Sequence, residues 1–270
     1  MTIRLAWLAL LGPIASFGCD SGQVDFKDGR HVGSSSRLGV TSDYAEGRSD
    51  ASRARAANMR ILFIGNSHTM SHDMPNLICR MVAHLKPDAR IYGHSIGVAF
   101  LEDVASHPTL KPEFNERTWD YVILQGQKIS TSGRFTYDRG AGIALAEQAR
   151  LHGAQVYFFS EWGMQGQPEN GPRHEAVYAE MASAAKVGLI RVGRAWDRAL
   201  ARNPDLPLFE SDGNHQSKTG AFLTASTIAS QLAEAPAGAL STFPWPELDE
   251  PTRASLLNAA QLPEGEAARR

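Results

Sequence analysis

Residues 61–69 read Ile61-Leu62-Phe63-Ile64-Gly65-Asn66-Ser67-His68-Thr69. The unbroken apolar run closed by glycine is too short for a helix and fits a strand buried on both faces, the habit of a parallel sheet covered by helices. A Gly-Asn-Ser turn where such a strand stops can hold a hydroxyl on the carboxyl edge of the sheet, the edge where open α/β folds place their sites. Ser67 is therefore the first candidate for a nucleophile.

Working outward, the chain keeps alternating short apolar runs with helical periods. Met74, Leu77, Ile78, Met81, Val82 and Leu85 share one helical face after the first strand. A second strand is expected at 89–92 or a little beyond, a third at 119–124 (Trp-Asp-Tyr-Val-Ile-Leu) and a fourth at 155–160 (Gln-Val-Tyr-Phe-Phe-Ser). A fifth, shorter one is expected at 189–192. Helices are expected near 138–152, near 173–186 with Val177, Met181 and Ala184 inward, after Gly193-Arg-Ala-Trp196, over 218–233, and near 250–261. Strands alternating with helices predict a parallel sheet with right-handed crossovers and helices on both faces, one three-layer α/β/α domain.

The chemistry that Ser67 needs appears at the far end of the chain, in Leu208-Phe-Glu-Ser-Asp212-Gly-Asn-His215-Gln216. A serine hydroxyl is a poor nucleophile near neutral pH. It needs an imidazole to take its proton and an anion to fix that imidazole's tautomer. His215 and Asp212, three residues apart just before an apolar helix, have the right types for those roles.

Of the 270 residues, 27 are basic and 29 acidic, which leaves no large single-sign field and argues against nucleic acid as a partner. The N-terminus departs from this plain composition. Met1-Thr-Ile-Arg4 followed by a Leu- and Ala-rich stretch reads as an export signal, too short to span a membrane comfortably. It ends in Ser16-Phe17-Gly18-Cys19, close to a bacterial lipobox, so lipidation of Cys19 and a membrane contact through that anchor alone are expected. Simple secretion, or a true start at Met59, are the alternatives. Domain boundaries follow: 1–19 a signal, 20–58 a Ser-, Gly- and Arg-rich disordered tether, 59–240 the catalytic domain, and 241–270 an extension with a short helix. Cys79 lies in an apolar helical stripe and reads as a small core residue.

The order of these features resembles the SGNH, or GDSL-type, hydrolase superfamily over about residues 59–235. The resemblance implies a flavodoxin-like five-stranded parallel sheet and a serine esterase without metal or organic cofactor. It further implies an enzyme acting on a small-molecule or carbohydrate ester, and together with the expected export it favours O-acetyl groups over long acyl chains. In it Gly65-Asn66-Ser67 takes the place of the usual Gly-Asp-Ser, and Asp212 and His215 take the place of the acid and base. Gly97 takes the place of a glycine whose backbone N–H serves the oxyanion hole, beside the Ser67 N–H. The family's Gly-x-Asn-Asp segment after the third strand is replaced by Leu124-Gln125-Gly126-Gln127. Gln125 is expected to substitute for the missing asparagine as a third oxyanion donor, with Gln127 as the reserve. Asn66, His68, Gln127 and Trp162 are expected to line the pocket.

Three rival readings compete. Gly93-His94-Ser95-Ile96-Gly97 is a literal G-x-S-x-G, the nucleophile elbow of α/β-hydrolases, but only one strand precedes it in the domain. His68, His72 and His94 could approach a metal, although nothing marks a fixed ligand set. The altered third block also leaves open a non-catalytic glycan-binding protein that keeps the fold, and acyl transfer to a sugar is a further variant of the same chemistry.

Overall fold

The computed structural model describes residues 54–106 and 118–261; the expected export signal with Cys19, and most of the expected tether, lie outside them. Five strands form one sheet: β1 (Met59–Gly65), β2 (Ile91–Gly97), β3 (Tyr121–Leu124), β4 (Gln155–Phe159) and β5 (Gly188–Ile190). Every pairing is parallel and the order is β2-β1-β3-β4-β5, the flavodoxin-like arrangement. The helices are α1 (Ser67–Met70), α2 (Met74–Leu85), α3 (Gly140–Leu151), α4 (Asn170–Ala185), α5 (Val192–Arg202), α6 (Lys218–Ala233) and α7 (Glu250–Ala260).

Period-2 alternation along β1 divides the core. Ile61 and Phe63 point to one face and pack with α2, α5, α6 and α7, whereas Leu62 and Ile64 point to the other and pack with α3 and α4. The four side chains are fully buried, which is why the first strand reads as a continuous apolar run. β2 is harder to recognise because it is an edge strand whose burial alternates, with His94 and Ser95 among its residues. It begins two residues later than expected and runs on to Gly97. Ser95 consequently sits inside the strand, opposite Phe63, not on a strand-to-helix turn, so the elbow reading fails on geometry.

On α4 the inward stripe is His174, Tyr178, Met181, Ala182 and Ala185. Ala184 faces out, against expectation, because Tyr178 occupies the buried row and sets its phase. At the N-terminal boundary, residues 54–58 belong to the packed body. Ala54 and Ala57 lie against the core, and Arg90 Nε donates to the Ala56 carbonyl at 2.7 Å. At the other end α7 packs Leu256, Leu257, Ala259 and Ala260 into the core. No helix of the described residues is long and apolar enough to cross a membrane. Cys79 is a free, buried thiol, pushed up to about 12 by burial.

The chain leaves β1 towards β2 on one side and returns to β3 on the other. The carboxyl ends of β1 and β3 therefore flank the point where the winding reverses, where a crevice opens in folds of this kind. Ser67 follows β1 and Gln125 follows β3.

Candidate active site

The Gly-Asn-Ser turn is a capped helix start. Asn66 is the N-cap of α1, its side-chain Oδ1 accepting from His68 N at 3.0 Å, while its carbonyl accepts from Thr69 N and Met70 N. These bonds satisfy the first-turn donors except the Ser67 N–H, and they leave the Ser67 side chain exposed on the edge. Gly65 is required by close approach. A Cβ there would sit 2.2 Å from Thr69 Oγ1 and 2.7 Å from Gln125 Oε1.

Ser67, His215 and Asp212 meet although 148 residues separate the first two. Ser67 Oγ lies 2.8 Å from His215 Nε2, and His215 Nδ1 lies 2.5 Å from Asp212 Oδ2. Asp212 Oδ1 also accepts from the backbone N–H groups of Asn214 and His215, each at 2.9 Å. The bond from the His215 ring, then those two backbone donors, hold the exposed Asp212 carboxyl well below the usual carboxylate range. An ionised Asp212 accepts the Nδ1 proton, which leaves the Nε2 lone pair facing the serine hydroxyl.

The loop carrying this pair is tied down from four directions. Phe209 and Gln216 pair as an antiparallel bridge, and Gln216 Nε2 donates to the His68 carbonyl at 3.0 Å. The His72 ring nitrogen Nε2 lies 2.8 Å from the Gln216 carbonyl, and Trp162 Nε1 donates to the Asn214 carbonyl at 3.0 Å. Trp162 is buried and stacks on Trp196 with ring centroids 4.0 Å apart. It therefore braces the acid–base loop from below and does not offer a face to a ligand. The His68 ring stacks on His215 at 5.0 Å and stands edge-on to Trp162, forming one wall beside the base. Sequence reasoning missed Gln216 and His72 as anchors, because their partners are backbone carbonyls that leave no side-chain signature. Among the described residues no group of three or more His, Cys, Asp or Glu could hold a metal ion, and His94 instead lies buried in mid-strand against Trp119.

The segment after β3 departs from expectation. Gln125 is fully buried, and its amide does not point into the crevice. Its Oε1 accepts from Asn66 N at 3.1 Å and from Thr69 Oγ1 at 2.6 Å, and its Nε2 donates to Glu161 Oε1 at 2.5 Å. Gln127 is also spent, its Nε2 donating to the carbonyls of Lys128 and Asp138. The backbone donors of this segment are used too, because Gln125 N–H bonds Ile64 O while Gly126 N–H and Gln127 N–H both bond the Tyr178 hydroxyl. Gln125 therefore does not present its amide to the crevice, since it is fully buried with its nitrogen on Glu161, and Gln127 has both Nε2 protons taken up by carbonyls. Gly97 lies exposed at the end of β2, opposite Gly65, where a side chain would meet open space.

No family model and no curated protein matches the chain. Among solved structures it is similar to a chain from Slackia heliotrinireducens described as a candidate SGNH hydrolase, at 24% identity and a TM-score of 0.51 over 63% of this chain and 97% of that one. It is also similar to a DUF4886 family protein from Bacteroides uniformis, at 15% identity and a TM-score of 0.55 over 75% and 93% of the two chains. A candidate GDSL-like lipase from Parabacteroides merdae shows 12% identity and a TM-score of 0.51 over 66% and 96%. The likeness is one of fold. The five-stranded parallel α/β/α architecture implied by the Gly-Asn-Ser and Asp-x-x-His motifs is the architecture these proteins share with this chain.

Proposed function

We propose that this chain is a serine esterase that hydrolyses small acyl esters, O-acetyl carbohydrates foremost. The observation that carries the reading is the continuous hydrogen-bond path from Ser67 Oγ through His215 to Asp212, built from two distant segments on one sheet edge. Ser67 Oγ attacks the ester carbonyl as His215 Nε2 takes its proton. His215 then returns that proton to the leaving alcohol, and water repeats the cycle on the acyl-enzyme. Asp212 holds the imidazole in the tautomer with Nδ1 protonated and offsets the positive charge that develops on it. The Ser67 and Gly97 N–H groups serve the oxyanion, and a preorganised donor of this kind lowers the barrier by about 3 kcal/mol.

Small acyl groups suit an exposed nucleophile with little apolar surface around it. Among the described residues the exposed large apolar side chains are Phe135 and Leu151. Export through residues 1–19, with Cys19 as lipid anchor, belongs to the same proposal and is tested by palmitate labelling of wild type against Cys19→Ser.

The test of the activity is acetate release from p-nitrophenyl acetate and from acetylated oligosaccharides, with covalent tagging by a fluorophosphonate. Tagging at Ser67 is expected. A folded protein that neither hydrolyses esters nor takes the tag would establish the alternative, a glycan-binding module on the same fold.

A further inference from the structure

Beneath the reactive edge lies a buried polar layer that the reaction itself does not use: Gln125 after β3, Glu161 after β4, and Tyr178 and His174 on α4. The direction of each hydrogen bond in it can be deduced. Gln125 Oε1 faces two donors, Asn66 N–H and Thr69 Oγ–H, so its Nε2 must face Glu161. The Tyr178 oxygen accepts from two backbone N–H groups, so its own proton goes to Glu161 Oε1 at 3.0 Å. Glu161 thus accepts twice on one oxygen. Its other oxygen lies 3.9 Å from His174 Nδ1, a buried nitrogen without a hydrogen-bond partner. Burial, foremost, pushes the His174 imidazole below its ordinary pKa.

Resting on the esterase reading above, we infer that Glu161 is a positioning residue for the nucleophile: it locks the Gln125 amide in the one orientation that holds the Asn66 N–H, and so fixes the Ser67 turn. An acceptor-only side chain is what this task needs. If the amide turned over, its oxygen would face the Glu161 oxygen and its NH₂ would face the Asn66 N–H, two repulsions in a site that water cannot relieve. A buried carboxylate is costly unless hydrogen-bonded, and both Gln125 and Tyr178 supply the bonds that make it tolerable here. The residue in place of the family's oxyanion asparagine therefore acts as an acceptor that grips the nucleophile turn, not as a donor to substrate.

The layer can be reversed by design. In Gln125→Glu two carboxyl groups face each other at hydrogen-bond distance, and only a shared proton reproduces the native pattern. The groups facing that pair are Tyr178 and His174 from α4, with Arg173 and His68 near His174. The proton is held at low pH and lost as pH rises, so the turn is released on the alkaline side. The double variant Gln125→Glu/Glu161→Gln needs no shared proton. Its carboxylate, now at position 125, accepts from Asn66, Thr69 and the amide nitrogen now at position 161, and Tyr178 gives up its acceptor, because that nitrogen takes the place of the one oxygen that served both Gln125 and Tyr178.

The experiment is p-nitrophenyl acetate kinetics on full-length wild type and both variants from about pH 6 to about pH 9, with thermal melting over the same range. Gln125→Glu is expected to lose kcat by on the order of a hundredfold towards the alkaline end, with little change in KM, as a nucleophile displaced by about 1 Å would. Wild type is expected to keep its activity there, and the double variant to recover the alkaline limb. A Gln125→Glu profile parallel to wild type, or a double variant that melts normally yet keeps the alkaline loss, would overturn the inference while leaving the esterase reading intact. An inert but folded wild type would overturn both. The comparison does not hang on folding alone, because melting reports separately on each variant at each pH.

Discussion

The loop at 210–216, which brings His215 to Ser67, and the polar layer at Gln125, Glu161 and Tyr178, which holds the neighbouring Asn66 N–H, are built in opposite ways. The loop is open to water, and Asp212 is exposed. Within it the Asp212–His215 pair is set by short local bonds, with the carboxylate receiving two backbone donors and one ring donor within three residues of itself. The layer is buried, and its geometry comes from elimination: each donor has one acceptor left to face. An exposed pair can be assembled by sequence-local hydrogen bonds because water tolerates its imperfections. In a buried set each unsatisfied member is costly, so the bonds that remain constrain one another. The first therefore leaves a motif in the chain, and the second leaves almost none.

Variants break this comparison at different strengths. The largest effect is expected for Ser67→Ala and His215→Ala, a loss of about a thousandfold or more in kcat, with melting temperature nearly unchanged for Ser67→Ala, whose side chain is exposed. Steady-state kinetics with p-nitrophenyl acetate reads this, and a variant that kept activity would move the nucleophile elsewhere.

Asp212→Asn should follow, costing on the order of a hundredfold or more, because the amide can present its NH₂ to the ring and favour the wrong tautomer. Its pH dependence has a definite sign. The folded-state pKa of Asp212 is depressed, so the stability it contributes is present above the unfolded carboxylate range, about pH 4, and is lost as pH falls below it. Acid melting curves of wild type and Asp212→Asn should draw together progressively as pH falls from that point towards the depressed folded-state value.

Gly65→Ala attacks the buried side. The new methyl collides with Thr69 and Gln125, so both activity and melting temperature should fall together, unlike the surface variants. Differential scanning calorimetry beside the kinetic assay would show whether they do. Trp162→Phe removes one bond to the Asn214 carbonyl but keeps the stack on Trp196, and a few-fold loss in kcat is expected from about 1 kcal/mol of lost loop restraint. The smallest effect belongs to Ser95→Ala, inside β2, which should remain fully active in the same assay.

Much of the fold was legible because the sheet is buried on both faces. Ile61 to Ile64 and Val122 to Leu124 must be apolar when helices cover them from both sides. The edge strand was less legible, since Ser95 in β2 is half-buried and can be polar without cost, which blurred its boundary. The candidate site divided along the same line. Ser67, His215 and Asp212 were marked by their own short contexts, whereas Gln125 is not the donor that its place in the chain suggests. Its orientation depends on Glu161, 36 residues further along the chain, and on Tyr178, 17 residues beyond that, and no spacing rule links them. Trp162 likewise offered two readings, and burial against Trp196 chose the brace over the platform.

By itself, the sequence determined the alternation of strands and helices, the residues able to perform acyl transfer, and the turn that presents the serine. These depend on local periodicity and side-chain chemistry, which are written residue by residue. The tertiary structure decided which amide faces the substrate edge and which is spent in the core, and it decided what braces the acid–base loop. Those outcomes depend on satisfying every polar group in a space closed to water, a condition set by residues that become neighbours only when the chain has folded.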